Sequence, residues 1–108
     1  MTADVPATAV LRVSSGSFDP ASYADISALM TKQAAYLVPA IKALPGLLDF
    51  VAGVSPDGSM VNFSIWDTAE HAAQMNTLKE MAVIARGEME AVGVTFNPIV
   101  TQPVSWTI

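Results

Sequence analysis

Residues 59–66, SMVNFSIW, carry the clearest alternation of polar and apolar positions in the chain. A strand sends successive side chains to opposite sides. Met60, Asn62, Ser64 and Trp66 therefore share one face, and Val61, Phe63 and Ile65 share the other. The second face is purely apolar and suits a core or an interface. The first sets a carboxamide and an indole among apolar neighbours, which marks it as a place for chemistry. Residues 47–55 form the strand before it, and the two are joined by Ser55-Pro56-Asp57-Gly58. Proline presets one central turn residue and glycine tolerates positive φ there, so this is an antiparallel hairpin.

The same reading extends to the rest of the chain. Residues 1–7 read as a frayed terminus, and residues 8–15 as a first strand with Val10 and Arg12 on one face, followed by a Ser-Gly-Ser loop. Asp19-Pro20 is a helix start: the aspartate caps free amides and proline suits the first helical position. Ile26, Leu29, Met30, Leu37, Ile41 and Leu44 then recur at spacings of three and four. Pro39 interrupts that stripe and predicts a kink or break near residues 37–39. Pro45-Gly46 ends the helix. Asp67-Thr-Ala-Glu70 fits a capping box with Asp67 as N-cap, opening a short helix over about residues 68–75. A break at Asn76-Thr77 precedes a longer helix over about residues 78–91, which Gly93 stops. Residues 94–104 form a last strand, which Pro98 and Pro103 confine to an edge or split at a bulge.

The order β-α-β-β-α-β makes the chain an α+β protein of the ferredoxin-like type. Its expected form is a four-stranded antiparallel sheet with helices on one face, as a single domain over residues 1–108. Composition adds a partner. Apolar residues make up 52% of the chain and charged ones only 14%, against about 25% charged in average globular proteins. A surface so poor in charge suggests burial by a second copy, with Val61, Phe63 and Ile65 as the dimer surface. The net charge of −5, with basic residues scattered singly, argues against nucleic acid and anionic membranes. Without cysteine there are no disulfides or thiolate sites, and with one histidine no metal site is expected. The start MTADVPATAVLRV lacks the basic, long-apolar pattern of a signal peptide and no stretch approaches a membrane span, so a cytoplasmic location is expected.

No nucleophilic triad, zinc signature, P-loop or dinucleotide fingerprint is present. Single polar residues on apolar elements remain. Asn62 offers two donors and an acceptor that burial would oblige it to satisfy; the plainer alternative is a structural hydrogen bond. Trp66 offers a flat wall and one indole donor, or simply core. Arg86, bordering the helical stripe, either reaches over the sheet to an anion or pairs with Glu90 one turn on. His71 lies in the first turn of the short helix, as a neutral base or a solvated residue. Met30, Met75, Met81 and Met89 suit a pliable core or an apolar pocket. Arg12 fits an interface ion pair or a site equally well.

LPGLLDF, SPDG and VNFSIWDTAEHA within this order resemble the antibiotic biosynthesis monooxygenase family, over about residues 9–100. The resemblance implies homodimers of ferredoxin-like subunits, the dimeric α/β barrel. It also implies, for some members, oxidation of aromatic polyketides by molecular oxygen without flavin, haem or metal. Asn62, Trp66 and Arg86 match pocket positions of the anthrone-oxidising members. A tyrosine those members carry is replaced by Ala72, beside His71. The implied activity is a cofactor-independent monooxygenase acting on a phenolic or polycyclic aromatic substrate. Asn62 and Trp66 would hold the enolate, Arg86 would stabilise the peroxide and His71 would act as base. The alternatives are a non-catalytic dimer binding a small apolar or aromatic ligand, a haem-degrading relative, or a lyase or isomerase of the same barrel type.

Overall fold

A computed structural model describes residues 5–108. Residues 1–4 of the expected frayed terminus lie outside the described residues, and Pro6 to Ala9 form a turn closed by the Ala9 amide on the Pro6 carbonyl, 2.9 Å. The elements are β1 (Val10–Ser17), α1 (Tyr23–Lys42), β2 (Leu47–Ser55), β3 (Ser59–Trp66), α2 (Ala69–Ala72), α3 (Arg86–Ala91), β4 (Thr95–Phe96) and β5 (Val100–Pro103). Every strand pairing is antiparallel, in the order β2-β3-β1-β4, with β5 also on β1. This is the ferredoxin-like α+β arrangement, with β4 and β5 sharing the position of the fourth strand.

The hairpin forms where its alternation and turn place it. Gly58 has φ of 96°, its amide reaches the Ser55 carbonyl at 3.1 Å, and Asp57 Oδ1 accepts from the Ser59 amide at 3.0 Å. β1 begins and ends two residues later than its composition suggests. The expected Ser-Gly-Ser loop lies within it, because residues 14–17 find a complete ladder against residues 59–62. The last strand is split: residues 97–99 lift away, Asn97 ties back to Ser15 through its amide and its side chain, and Pro98 has no amide to offer a ladder.

α1 runs through Pro39 without the expected break. Pro39 is exposed in the last turn, so the carbonyl it leaves unbonded can face water, while Leu37 and Ile41 hold the helix to the core on either side. Asp19 caps a short 3-10 turn, Pro20–Ser22, that leads into α1. The N-cap of α2 is Thr68 rather than Asp67. Thr68 has the extended backbone a cap needs, and its hydroxyl accepts from the His71 amide at 3.1 Å. A 3-10 turn, Ala73–Asn76, follows α2, and Glu80–Ala85 wind as a π-helical turn into α3.

The helices cover the sheet face of Met60, Asn62, Ser64 and Trp66 in two clusters. Val10, Ile41, Trp66, Ala72 and Met75 form one, and Phe18, Ile26, Met60, Met89 and Val94 the other. On the outer face Val51, Val61 and Val100 stay exposed and Phe63 is half-buried, whereas Ile65 is buried within the single chain. Among the described residues no helix is long and apolar enough to cross a membrane.

Candidate functional site

Between sheet and helices lies a cavity of about 1000 Å³, lined by members of both clusters. Its floor is the inner face of the central strands. Arg12 and Ser14 of β1 lie opposite Ser64 and Asn62 of β3, and Ala52 of β2 flanks Asn62 from the other side. Its walls are largely apolar, with Met30 of α1, Met60 of β3, Met75 of the 3-10 turn, Met81 of the π-helical turn and Met89 of α3 all contributing. Methionine suits such a wall because its unbranched thioether adapts to the shape of a guest.

Asn62 stands on that floor, and its Oδ1 is buried with no hydrogen-bond partner. A buried carboxamide oxygen left unbonded costs about 1–3 kcal/mol. Native structures carry few such groups, and one facing a cavity calls for a guest that donates a hydrogen bond. Arg86 also lines the cavity. It is half-exposed, its Nε lies 3.5 Å from Glu90 Oε2, and its guanidinium carbon stands 5.0 Å from the centroid of the Phe96 ring. Both sequence readings of Arg86 therefore describe it: it pairs one turn on, and it reaches the cavity over an aromatic face.

The other two candidates sit apart from the cavity lining. Trp66 is fully buried in the core and its indole Nε1 donates to Ser64 Oγ at 2.7 Å. The donor expected to meet a ligand is engaged within the strand. His71 Nδ1 lies 2.6 Å from Asp67 Oδ1, and both side chains close over Gly46, whose φ of 85° turns the chain into β2. This imidazole fastens a loop and is turned to a carboxylate. Neither a histidine nor any Asp or Glu is among the described lining residues.

Two more polar residues join the site: Arg12, which the sequence left open between interface and site, and Gln33, which it did not single out. Arg12 is 3% exposed and its Nη2 donates to Asn76 Oδ1 at 3.0 Å; burial lowers its pKa from the ordinary value. Gln33 of α1 is buried and donates to the Ala85 carbonyl and to Glu88 Oε1, both at 3.1 Å. Its signal was present: Gln33 stands seven residues after Ile26 and four before Leu37, inside the apolar stripe. Its amide meets the π-helical turn, a local winding that recurs at functional sites. No group of His, Cys, Asp or Glu among the described residues is arranged to hold a metal ion.

The sheet order and the inward-facing floor give this chain the fold of the antibiotic biosynthesis monooxygenase-type, ferredoxin-like proteins. It is similar to the monooxygenase ActVA-Orf6 of Streptomyces coelicolor in complex with nanaomycin D, at 18% identity and a TM-score of 0.71, with 100% of this chain and 97% of that one covered. It is also similar to SnoaB, a cofactor-independent oxygenase of Streptomyces nogalater (16% identity, TM-score 0.64, 94% and 98% covered). A dimeric ferredoxin-like protein from an uncultured marine organism matches at 13% identity and a TM-score of 0.70, with 94% and 91% covered. No protein-family model matches the chain, and no curated protein matches it by sequence.

Proposed function

We propose that the cavity binds a phenolic or polycyclic aromatic substrate and that the protein is a cofactor-independent monooxygenase. The observation that carries this reading is the unpartnered Asn62 Oδ1 on the floor of a cavity with largely apolar walls. A hydroxy-anthrone offers a phenolic hydroxyl beside a carbonyl, and one carboxamide can bond both. Oδ1 accepts from the hydroxyl while the amide donates to the carbonyl oxygen as it gains enolate charge. With no carboxylate or imidazole among the described lining residues, the carbon-bound proton passes to water, and Asn62 with the basic residues around it stabilises the enolate left behind. The enolate carbon gives electrons to O2 and a C–O bond forms. The peroxide then loses water, so that CH2 and O2 become C=O and H2O. Arg86 bears on the peroxide oxygens.

The apolar outer face of the sheet, with Val51, Val61 and Val100 exposed, supports a homodimer packed sheet against sheet, as does the dimeric state of a structural neighbour. A second reading, a non-catalytic dimer that binds the same class of ligand, is favoured by the placement of Trp66 and His71 away from the cavity lining. Oxygen uptake with dithranol separates the two. The enzyme gives uptake that falls at least tenfold in Asn62→Ala and Arg86→Ala. Binding without uptake assigns the protein to the second reading, and neither binding nor uptake removes both.

A further inference from the structure

We propose that the cavity is selective for anions, with Arg12 holding a carboxylate or an ionised phenol carried by the aromatic ligand. The inference rests on the cavity being a ligand site, as proposed above, and adds the charge that the ligand brings to it.

Arg12 is 3% exposed in the interior strand β1, and among the described residues the one hydrogen bond its side chain makes is to the amide oxygen of Asn76. Among the described residues no carboxylate lies within ion-pair distance of it. A guanidinium has five N–H donors and a fixed positive charge, so a single neutral acceptor leaves it far from satisfied. Buried charges persist in proteins when something pairs with them. Arg12 lines the cavity, and the cavity is where a counter-charge can arrive.

The distribution of charge points the same way. The chain has 5 Lys and Arg against 10 Asp and Glu. Yet Arg12, Lys42 and Arg86 are among the lining residues, and no described Asp or Glu is. Three of the five cations thus serve one cavity in an acidic protein. Arg86 already pairs with Glu90 and is half-exposed; Arg12 is the buried one. Its strand position also fits. Arg12 lies opposite Ser64, and Asn62 lies opposite Ser14, so Arg12 and Asn62 are diagonal neighbours on adjacent strands, roughly 7–8 Å apart at Cα. A rigid fused-ring ligand can span that distance, with its anionic group in the guanidinium fork and a hydroxyl or carbonyl at the carboxamide.

The test is equilibrium binding to the full chain at pH 5, where an aromatic carboxylate is ionised and free alizarin is still neutral, of three anthraquinones: the 2-carboxylate, the neutral 2-carboxamide and alizarin, whose colour reports ionisation. The wild type is expected to bind the carboxylate at least tenfold more tightly than the carboxamide, or to shift bound alizarin to its anion spectrum. The first result names a carboxylate as the natural group and the second an ionised phenol. Arg12→Met is expected to abolish the preference, lowering carboxylate affinity at least tenfold more than carboxamide affinity, and Arg12→Lys to retain part of it. Equal affinity for carboxylate and carboxamide with unshifted alizarin overturns the anion site and leaves the ligand cavity standing. Binding of none of the three overturns both. Weakening of the carboxamide as much as the carboxylate in both variants makes Arg12 a packing residue and overturns its role.

Discussion

The Tyr36 hydroxyl donates to Glu88 Oε1 at 2.6 Å, joining α1 to α3, and Gln33 donates to the same oxygen at 3.1 Å. The pair has opposite effects on its two members. Desolvation first, then the hydrogen bond and the charge of Glu88, push the Tyr36 pKa up to about 12, while the hydrogen bonds from Tyr36 and Gln33 hold the Glu88 carboxyl below its usual range. Tyr36 has a folded pKa above the ordinary 10.0. The stability linked to it is therefore complete below pH 10 and is lost as pH rises toward about 12. Glu88 is shifted the other way, so its contribution is complete above the ordinary 4.5 and is lost as pH falls through the lowered value. In a Tyr23→Phe background, the phenolate absorbance of Tyr36 is expected to rise only near pH 12. Glu88→Gln should return that midpoint toward 10 and flatten the acid limb of a stability profile; an unmoved midpoint counts against the pairing.

Asn62→Leu should leave thermal stability unchanged or raise it, since it removes a buried oxygen that has no partner. The same change should lower oxygen uptake or ligand affinity at least tenfold. Calorimetry alongside a binding titration checks both. A stability loss above about 2 kcal/mol would mean the carboxamide is bonded within the fold after all.

Trp66→Phe should behave in the opposite way. The buried indole donates to Ser64 Oγ, and without it the hydroxyl loses its donor and the core loses volume, for a cost of about 2–4 kcal/mol in chemical denaturation. Ligand affinity should stay within a few-fold. Intact stability with abolished binding would place the indole against the ligand.

Gly46→Ala should be among the most damaging single methyl additions. The position has φ of 85°, and a Cβ there would run into the His71 ring and the Asp67 carboxylate. Backbone strain and displacement of that pair together should cost about 2–3 kcal/mol or more. His71→Ala in the same background should recover part of the loss, as read from urea midpoints.

How far the fold was legible depended on how local its causes are. The β2–β3 hairpin is specified by alternation and by Ser-Pro-Asp-Gly, which act within a few residues, and both strands have the expected bounds. The extent of β1 depends on partners far along the chain, so Ser-Gly-Ser looked like a loop until β3 paired with it. In the site, alternation assigns a residue to a face and says nothing of its depth. Asn62 and Trp66 share a face, yet one lines the cavity and the other is sealed into the core beside Ile41 and Met75. His71 belongs to Asp67 and Gly46 because the loop before β2 folds back on α2, a contact 25 residues apart (71 − 46) that no local pattern reports. Arg12 reads alike as an interface or a site residue until its burial, and its lack of an acidic partner among the described residues, are known.

The π-helical turn Glu80–Ala85 gives the segment before α3 one residue of slack. Such a turn accommodates one residue more than regular winding, and each residue of an α-helix advances the chain by about 100°. The wider turn rotates less per residue, so it absorbs the extra residue and keeps α3 in the phase that regular winding one residue shorter would give. Deleting one of those six would return the stretch to regular winding and leave Arg86 and Met89 on the cavity and Glu88 beside Tyr36. A residue removed from α3 itself has no such turn to absorb the change, and the side chains beyond it would swing by about 100°. The segment before α3 thus tolerates the loss of a residue that the helix carrying the site does not.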